Sequence, residues 1–201
     1  MSIETMERTQ TATIPVNTLT DLLTGALVCA EKDNSLPVLC AVHLTFTTDT
    51  VTAAATDRYR LIVGSAPIGD DSPGSFTVLI GRADVERMIK MGKNWRNYPK
   101  LLVGVTLDDG MVTVTFLTDS MTFKATDGTF PPYVHLLPTI FAPIESVNVN
   151  PDLLASFAKV PHEKGSAITL RFGGQGKPVS IGISHPKIAW QALLMPMRSP
   201  K

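Results

Sequence analysis

Residues 76–91, with the sequence FTVLIGRADVERMIKM, decide the fold. The apolar and β-branched run Phe76–Ile80 predicts a strand, and Arg82–Met91 predicts a helix directly after it. The same order of strand and helix occurs once before this stretch and once after it, and further strands follow each helix. We therefore interpret the chain as three copies of one structural unit, named here unit one, unit two and unit three in chain order.

Unit one begins with the predicted strand Thr11–Val16, which leads into the predicted helix Asn17–Leu27. We expect the side chain of Asn17 to cap this helix. Four leucines fall on one face of it, as a helix packed on a core requires: Leu19, Leu22, Leu23 and Leu27.

Unit three has a shorter predicted strand, Val147–Val149, followed by the predicted helix Asn150–Lys159. Asn150 is expected to be the N-cap, and Pro151 occupies the first helical position, where its missing N–H costs nothing. The beginning of this helix is therefore well defined by its sequence.

Alternating or apolar runs follow each predicted helix and are separated by turn residues, which is typical of antiparallel hairpins. The predicted strands are residues 43–47 and 51–55 in unit one, 101–105, 111–116 and 121–125 in unit two, and 167–172, 179–183 and 189–195 in unit three. We interpret all three units as having the order β-α-β-β-β, although the runs of unit one give only two strands after its helix, and each unit packs one helix against one sheet. We expect an α+β fold with the helices on one face and antiparallel sheets on the other.

The open sheet edges of one unit favour pairing with a second unit. We therefore expect units one and two to form a complete domain over residues 11–138. Unit three, residues 139–201, would be half of such a domain, and residues 1–10 would be a flexible N-terminus. An unpaired half-domain is expected to find its partner in another chain.

The composition restricts the function. The chain has 201 residues, of which 44% are hydrophobic and 18% are charged, so it is long and apolar enough to bury a core. Its formal net charge is zero, so its overall charge does not attract it to DNA or membranes. Cys29 and Cys40 lie in apolar contexts without metal-ligand spacing, and we interpret both as reduced core residues. No signal peptide or long apolar run is present, and a cytoplasmic protein is expected.

Basic residues concentrate on the helix of unit two and its continuation. Lysines and arginines at three- and four-residue spacing share a helical face and can neutralise phosphates without reading base sequence, although a solvated helix face would have the same pattern. Trp95 and Tyr98 could stack on bases, but beside Pro99 we expect them to pin the loop to the core. The candidate DNA-binding residues of units two and three are Arg82, Arg87, Lys90, Lys93, Arg96, Lys100, Lys159 and Lys164.

No sequence pattern indicates catalysis. A P-loop, a GxSxG motif, an HExxH motif and a cysteine–histidine pair are all missing from the sequence, so neither an enzyme nor a metal or cofactor site is expected. The glycine-rich run 173–176 lacks the Lys-Ser/Thr and the helix that phosphate binding needs, and predicts a hairpin turn. His43, His162 and His185 have no ligand spacing and are interpreted as ordinary edge or surface residues.

Three segments carry a resemblance to one family, the bacterial sliding clamp, the beta subunit of the replicative DNA polymerase. Residues 55–61 (ATDRYRL) resemble the family's TDGHRL segment, and residues 127–138 (DGTFPPYVHLLP) resemble its interdomain linker DGxFPDYxxVLP. Residues 195–198 (MPMR) match its C-terminal Met-Pro-Met-Arg. The resemblance covers roughly residues 11–198, with units one and two similar to the middle domain and unit three similar to the second half of the last domain.

The resemblance implies a DNA-clamp fold in which a ring of twelve units surrounds duplex DNA and tethers a polymerase, without catalysis, and is opened in some cases by a loader. With three units here, four copies would complete such a ring, so a homo-tetramer is favoured. The alternative is a clamp-fold scaffold or decoy that binds proteins without encircling DNA.

The resemblance also implies a groove for short peptides of polymerases and repair proteins. Tyr59 stands where the family commonly has His, and His135 where it often has Arg, so this groove would be less basic. The implied groove residues are Thr56, Arg58, Tyr59, Arg60, Leu61, Pro131, His135, Leu136, Leu193, Met195, Pro196 and Met197.

Overall fold

The computed structural model describes residues 9–33, 36–68 and 75–197. Its helices and strands are, in chain order, β1 (Gln10–Pro15), α1 (Val16–Leu27), β2 (Ala41–Phe46), β3 (Thr50–Thr56), β4 (Arg60–Pro67), β5 (Phe76–Gly81), α2 (Arg82–Asn94), β6 (Leu102–Asp108), β7 (Met111–Phe116), β8 (Asp119–Lys124), α3 (Pro151–Ser156), β9 (Ile168–Phe172), β10 (Val179–Ile183) and β11 (Ala189–Leu194). Single 3₁₀ turns lie at Val134–Leu136 and Phe157–Lys159. Most of the expected flexible N-terminus, and Arg198 of the C-terminal motif, lie outside the described residues.

The strands form two antiparallel sheets, and units one and two exchange their first strands between them. The four-stranded sheet has the order β1-β6-β7-β8, so the first strand of unit one pairs with unit two. In the other sheet β5, the first strand of unit two, pairs with β2 of unit one. This reciprocal exchange hydrogen-bonds each unit to the other; the division into a complete domain over residues 11–138 and a half-domain after it stays a prediction.

Unit three extends the larger sheet instead of starting a new one. The seven-stranded sheet has the order β5-β2-β3-β4-β11-β10-β9, and β11 pairs with β4 over Arg60–Ser65 and Ala189–Leu194. The last strand of unit three is therefore hydrogen-bonded directly to unit one. Strand β9 lies at the end of this sheet, with β10 as its neighbour.

A single main core runs through all three units. It contains the inward side chains of both sheets together with the apolar faces of α1 and α2. Leu19, Leu22 and Leu23 are buried as the helical pattern predicted, and Leu27 is partly buried beside them. Phe157 of unit three is fully buried in this core.

Trp190 of β11 packs unit three against unit one. Its indole is buried and lies against Gly25 of α1 and Gly64 of β4, and a Cβ atom at either glycine would overlap the ring. The small residues on the helix and the strand therefore provide the space that the indole fills. Interior packing at native density leaves little room for adjustment at such a position.

Two local predictions need correction. Residues Val147–Val149 are not a strand, because within the described chain no neighbouring strand pairs with them; their backbone hydrogen bond is from Met197 N to Asn148 O, 2.8 Å. Asn17 does not cap α1, which begins one residue earlier with Pro15 at the N-cap; the Asn17 amide instead donates to the carbonyl of Arg96, 3.3 Å.

Other local predictions are confirmed. Asn150 caps α3, since its Oδ1 accepts hydrogen bonds from the backbone N–H groups of Asp152 (2.9 Å) and Leu153 (3.2 Å). Cys29 and Cys40 are free and buried, and burial raises the pKa of both thiols. Among the described helices, none is long and apolar enough to cross a membrane.

Candidate nucleic-acid interface and peptide groove

The three helices line one concave surface of about 500 Å³, and four lysines lie at it. Lys90 and Lys93 of α2 and Lys159 beyond α3 lie at this surface together with Lys32, which follows α1. All four side chains are exposed. We name these four residues the lysine cluster. Lys32 is not among the residues predicted from the sequence, because it stands beside Glu31 and beyond the end of its helix.

The candidate arginines of unit two are held by other protein groups. Arg82 donates to the carbonyl oxygens of Leu27, Ala30 and Glu31 at the end of α1, at 2.7 to 3.2 Å. A guanidinium at the C-terminal end of a helix satisfies carbonyls that otherwise lack partners. Arg82 therefore differs from the lysine cluster, because its guanidinium is bonded to backbone carbonyls of the protein.

The two remaining arginines form ion pairs on the surface. Arg87 pairs with Asp84 on α2, and Arg96 lies 3.8 Å from Asp21 of α1. Such exposed pairs contribute little to stability and leave part of each guanidinium open. Their role in binding a phosphate stays a prediction.

The other predicted contacts lie around these helices. Lys100 and Lys164 are exposed in loops. Trp95 packs partly against the core, whereas Tyr98 is exposed, with the two rings 5.8 Å apart. The expectation that the loop is pinned to the core therefore holds for Trp95 and fails for Tyr98.

Arg60 joins unit one to α3 on the helical side of the sheet. Its Nε donates to Asp57 Oδ2 at 2.9 Å, and its Nη1 donates to Ser156 Oγ at 2.6 Å. Asp57 is buried, so the ion pair is shielded from water and the carboxylate is fully used. Arg60 also lines the concave surface. There it connects the turn after β3 to Ser156 of α3.

The turn between β3 and β4 brings the first group of candidate groove residues together. Asp57 Oδ1 accepts from the backbone N–H groups of Tyr59 (3.0 Å) and Arg60 (2.7 Å), and Thr56 Oγ1 accepts from Arg58 N at 3.2 Å. Arg58 has φ of 76°, in the left-handed region where the family sequence has glycine. The turn presents Arg58 and Tyr59 to solvent.

The C-terminal residues lie directly beside this turn. Met195 N donates to the carbonyl of Tyr59 at 2.9 Å, and Leu193 is paired with Leu61 across the two strands. Both leucines are buried, whereas Met195 and Met197 are exposed. Met195, Pro196 and Met197 also line a cavity with residues 146–148 and the turn 175–176. The structure thus brings the sequence segments 56–61 and 193–197 together.

The remaining candidate groove residues, Pro131, His135 and Leu136, belong to the linker segment, residues 127–138. Phe130 is buried against Ala41, Ala54 and Leu79 and stacks on His43 with ring centroids 5.0 Å apart. Burial lowers the pKa of His43, which keeps the imidazole neutral under the ring. This packing fixes the chain before the exposed residues Pro131, His135 and Leu136. That these three residues share one groove with Met195 and Met197 stays a prediction.

Comparison with known proteins gives a consistent result. The family model described as the DNA polymerase III beta subunit, central domain, matches residues 13–132. The beta sliding clamp of Synechocystis sp. is 26% identical over 199 residues, covering 90% of this chain and 49% of that protein. A beta sliding clamp of Streptomyces coelicolor is 25% identical over 142 residues, covering 70% and 38%. The chain spans about half the length of the curated relatives it matches.

Solved structures share the whole fold. The DNA polymerase III beta subunit of Thermotoga maritima aligns with a TM-score of 0.80 at 15% identity, covering 100% of this chain and 68% of that one. The DNA polymerase sliding clamp of Bacillus subtilis aligns with a TM-score of 0.77 at 16% identity, covering 100% and 67%. The matched family model covers more than half of the chain. The chain therefore belongs to the DNA polymerase III beta subunit family and has the sliding-clamp fold.

Proposed function

We propose that the chain is a processivity clamp, which holds duplex DNA without sequence preference on its helical face and tethers polymerase or repair proteins through the peptide groove. The observation that carries the proposal is the lysine cluster, in which residues from all three units meet on one concave surface. In a chain of zero net charge, four exposed lysines at one surface are a local concentration of positive charge. The role is binding rather than catalysis.

The lysine cluster suits the phosphate backbone of DNA. Lysines that neutralise phosphates release counterions, so the affinity falls steeply with salt and does not depend on base sequence. Glu86 also lies at this surface, but its carboxylate is 3.3 Å from Arg82, which offsets its charge. The net field of the concave surface is therefore positive.

Charge reversal tests this face. Lys90→Glu with Lys93→Glu should lower the affinity for a duplex oligonucleotide at least tenfold at low salt and flatten its dependence on salt concentration. The matched control is Lys124→Glu with Lys177→Glu, which makes the same change of charge at exposed residues outside the concave surface. Equal losses from both pairs would show general electrostatics and contradict the proposed face.

The groove is proposed to bind short linear peptides. Exposed methionine side chains give an adaptable apolar surface, and Leu61 and Leu193 supply a fixed base under it. The backbone bond between Met195 and Tyr59 holds the two walls at a fixed distance. The partner would be a protein with an exposed, apolar peptide motif.

The groove is tested with a fluorescent clamp-binding peptide. Met195→Ala with Met197→Ala should abolish its binding while leaving DNA affinity and molecular mass unchanged. Met111→Ala, an exposed methionine at the start of β7, is the control and should leave binding intact. Peptide binding that survives in the double variant would contradict the groove assignment.

Topology separates a clamp from a scaffold or decoy. A clamp that closes on DNA, with a loader if one is needed, should stay on nicked circular DNA and be lost when the circle is cut. A decoy would bind the peptide equally well and show no difference between circular and linear DNA. We propose that closure involves several copies of the chain, with four copies matching the twelve units of a ring.

A further inference from the structure

The surface of the peptide groove continues along strands β4 and β11. Leu61 and Leu193, at the base of the groove, are paired across these strands, and two residues further along Val63 is paired with Gln191. Residues two apart on a strand point to the same side, so both pairs lie on one face of the sheet. Trp190 points to the opposite face, where it contacts α1. We call the face that carries the two pairs the outer face.

A cavity of about 510 Å³ lies on this continuation and extends across β10 to β9. We name it the outer cavity. Gly182 of β10 is paired with Gln191 on one side and with Thr169 of β9 on the other. Because glycine has no side chain, the middle of this row is open between its two polar neighbours. The outer cavity is therefore a polar extension beside the apolar base of the groove.

Three polar side chains line the outer cavity and make no hydrogen bond to another described residue: Thr169, Ser180 and Gln191. Ser180 is only 5% exposed. Buried hydroxyl groups normally have a hydrogen-bond partner, so one without a partner in this part of the chain is available to a ligand. A hydroxyl and an amide can both donate, and a ligand with acceptor atoms therefore suits this lining.

Arg171 is the one charged residue among the described residues that line the outer cavity. It forms no ion pair within the described chain, and its guanidinium carbon lies 5.5 Å from the centre of the Phe141 ring. The next residue, Ala142, is held at β9 because its N–H donates to Phe172 O at 2.8 Å. Stacking on a ring positions a guanidinium and leaves the N–H groups at its edge free for an anion. The outer cavity therefore favours a negatively charged acceptor such as a carboxylate.

The register places Arg171 to the side of the groove. Ser180 is paired with Leu193 on one side and with Arg171 on the other. Neighbouring strands are about 4.8 Å apart, so Leu193 and Arg171 are separated by roughly 10 Å across the sheet. A peptide that lies over Leu193 would meet the arginine with a side chain directed across the strands, whereas its terminal carboxylate would stay on the line of the peptide. This geometry favours an acidic side chain as the occupant.

We propose that the outer cavity is an acidic subsite of the peptide groove, which binds the side chain of a Glu or Asp next to the apolar motif of the partner. This inference rests on the peptide groove proposed above. The carboxylate accepts two hydrogen bonds from the guanidinium of Arg171 and one from the hydroxyl of Ser180. The apolar base binds the motif, and Arg171 selects among the partners that carry it.

Peptide binding tests the subsite. Three fluorescent clamp-binding peptides with both termini blocked differ only in the residues that flank the apolar motif, which are Gln on both sides, Glu before it, or Glu after it. One of the two Glu peptides should bind the wild-type chain about fivefold more tightly than the Gln peptide at low salt. Arg171→Gln should remove this preference and leave the affinity for the Gln peptide unchanged.

Lys187→Gln is the matched control, because it removes the same charge from an exposed residue of unit three outside the outer cavity. The preference should survive in this variant. Equal affinities of the three peptides for the wild type, a preference that persists in Arg171→Gln, or an equal loss in Lys187→Gln would overturn the subsite alone. Failure of every peptide to bind the wild type would contradict the groove and the subsite together.

Charge exchange provides a second test. Arg171→Glu should bind a peptide with Lys at the preferred flanking position more tightly than the Glu peptide, which reverses the wild-type order. Lys187→Glu makes the same change of charge elsewhere and should keep the wild-type order. Because Arg171 is exposed, the urea unfolding midpoint of its variant should stay unchanged. A folded Arg171→Glu chain that does not reverse the order would overturn the proposal.

Discussion

The two sides of unit three differ in how they meet the protein and solvent. On one side β11 is hydrogen-bonded to β4, Trp190 fills the space between two glycines, and Arg60 reaches Ser156 of α3. On the other side β9 ends the sheet, and its core-facing aliphatic residues are exposed to water. The same unit thus has a sealed side and an open side. Its stability is expected to come mainly from the first side.

Trp190→Ala should cause the largest loss in the free energy of unfolding, because it removes the side chain that fills the space between Gly25 and Gly64. Truncating a buried aromatic side chain costs about 3–5 kcal/mol, and here the cavity would lie between α1 and β4. Urea unfolding measures the loss. Trp95→Ala, at a partly buried tryptophan outside this junction, is the control and should cost less. A loss at Trp190 below that at Trp95 would mean that the junction is not what holds unit three.

A pair of variants on neighbouring strands compares the interior of unit three with its open side directly. Ile181→Ala on β10 should cost about 2–5 kcal/mol at every protein concentration, because the side chain is fully buried. Leu170→Ala, its partner across the strands, should cost less than about 1 kcal/mol in dilute solution, where it is half in water.

Gly64→Ala should have an intermediate effect. A single methyl group placed against the Trp190 ring should cost about 1–3 kcal/mol through overpacking. Gly104→Ala on β6 is the matched control, since the nearest side-chain atom, Thr115 Cβ, is 3.9 Å from the new methyl group. The control should be near neutral or slightly stabilising in urea unfolding. Equal costs at both glycines would show that the indole has room to move.

Arg58→Gly should have the smallest effect and the opposite sign. Arg58 holds a left-handed backbone beside Met195 in the turn that supports the sealed side. Glycine relieves this strain and should stabilise the chain by up to about 1 kcal/mol, as measured in the same urea experiment. A destabilised variant would indicate that the arginine side chain contributes contacts that outweigh its backbone cost.

The sequence predicts what depends on local patterns. The leucines of α1 and the cap at Asn150 were read correctly because periodicity and capping chemistry act within a few residues. The pairing of β1 with β6, or the fit of Trp190 between Gly25 and Gly64, depends on residues far apart in sequence and leaves no local signal. Val147–Val149 has the pattern of a strand, but a strand also needs a neighbour.

The candidate site shows the same limit. Arg82 has the spacing of a DNA-facing cation, yet its guanidinium is consumed by three carbonyls at the end of α1. Lys32 lies outside any helical pattern and still joins the lysine cluster. Charge spacing identified the helical face, whereas only the packing of three helices decides which cations remain available on it.

The reciprocal exchange of first strands bears on the direction of the helices. A two-fold axis that relates two units with helices on the same surface stands perpendicular to that surface, so it reverses any direction lying in it. Helices α1 and α2, which follow the two exchanged strands, are therefore expected to run in opposite senses across the helical face.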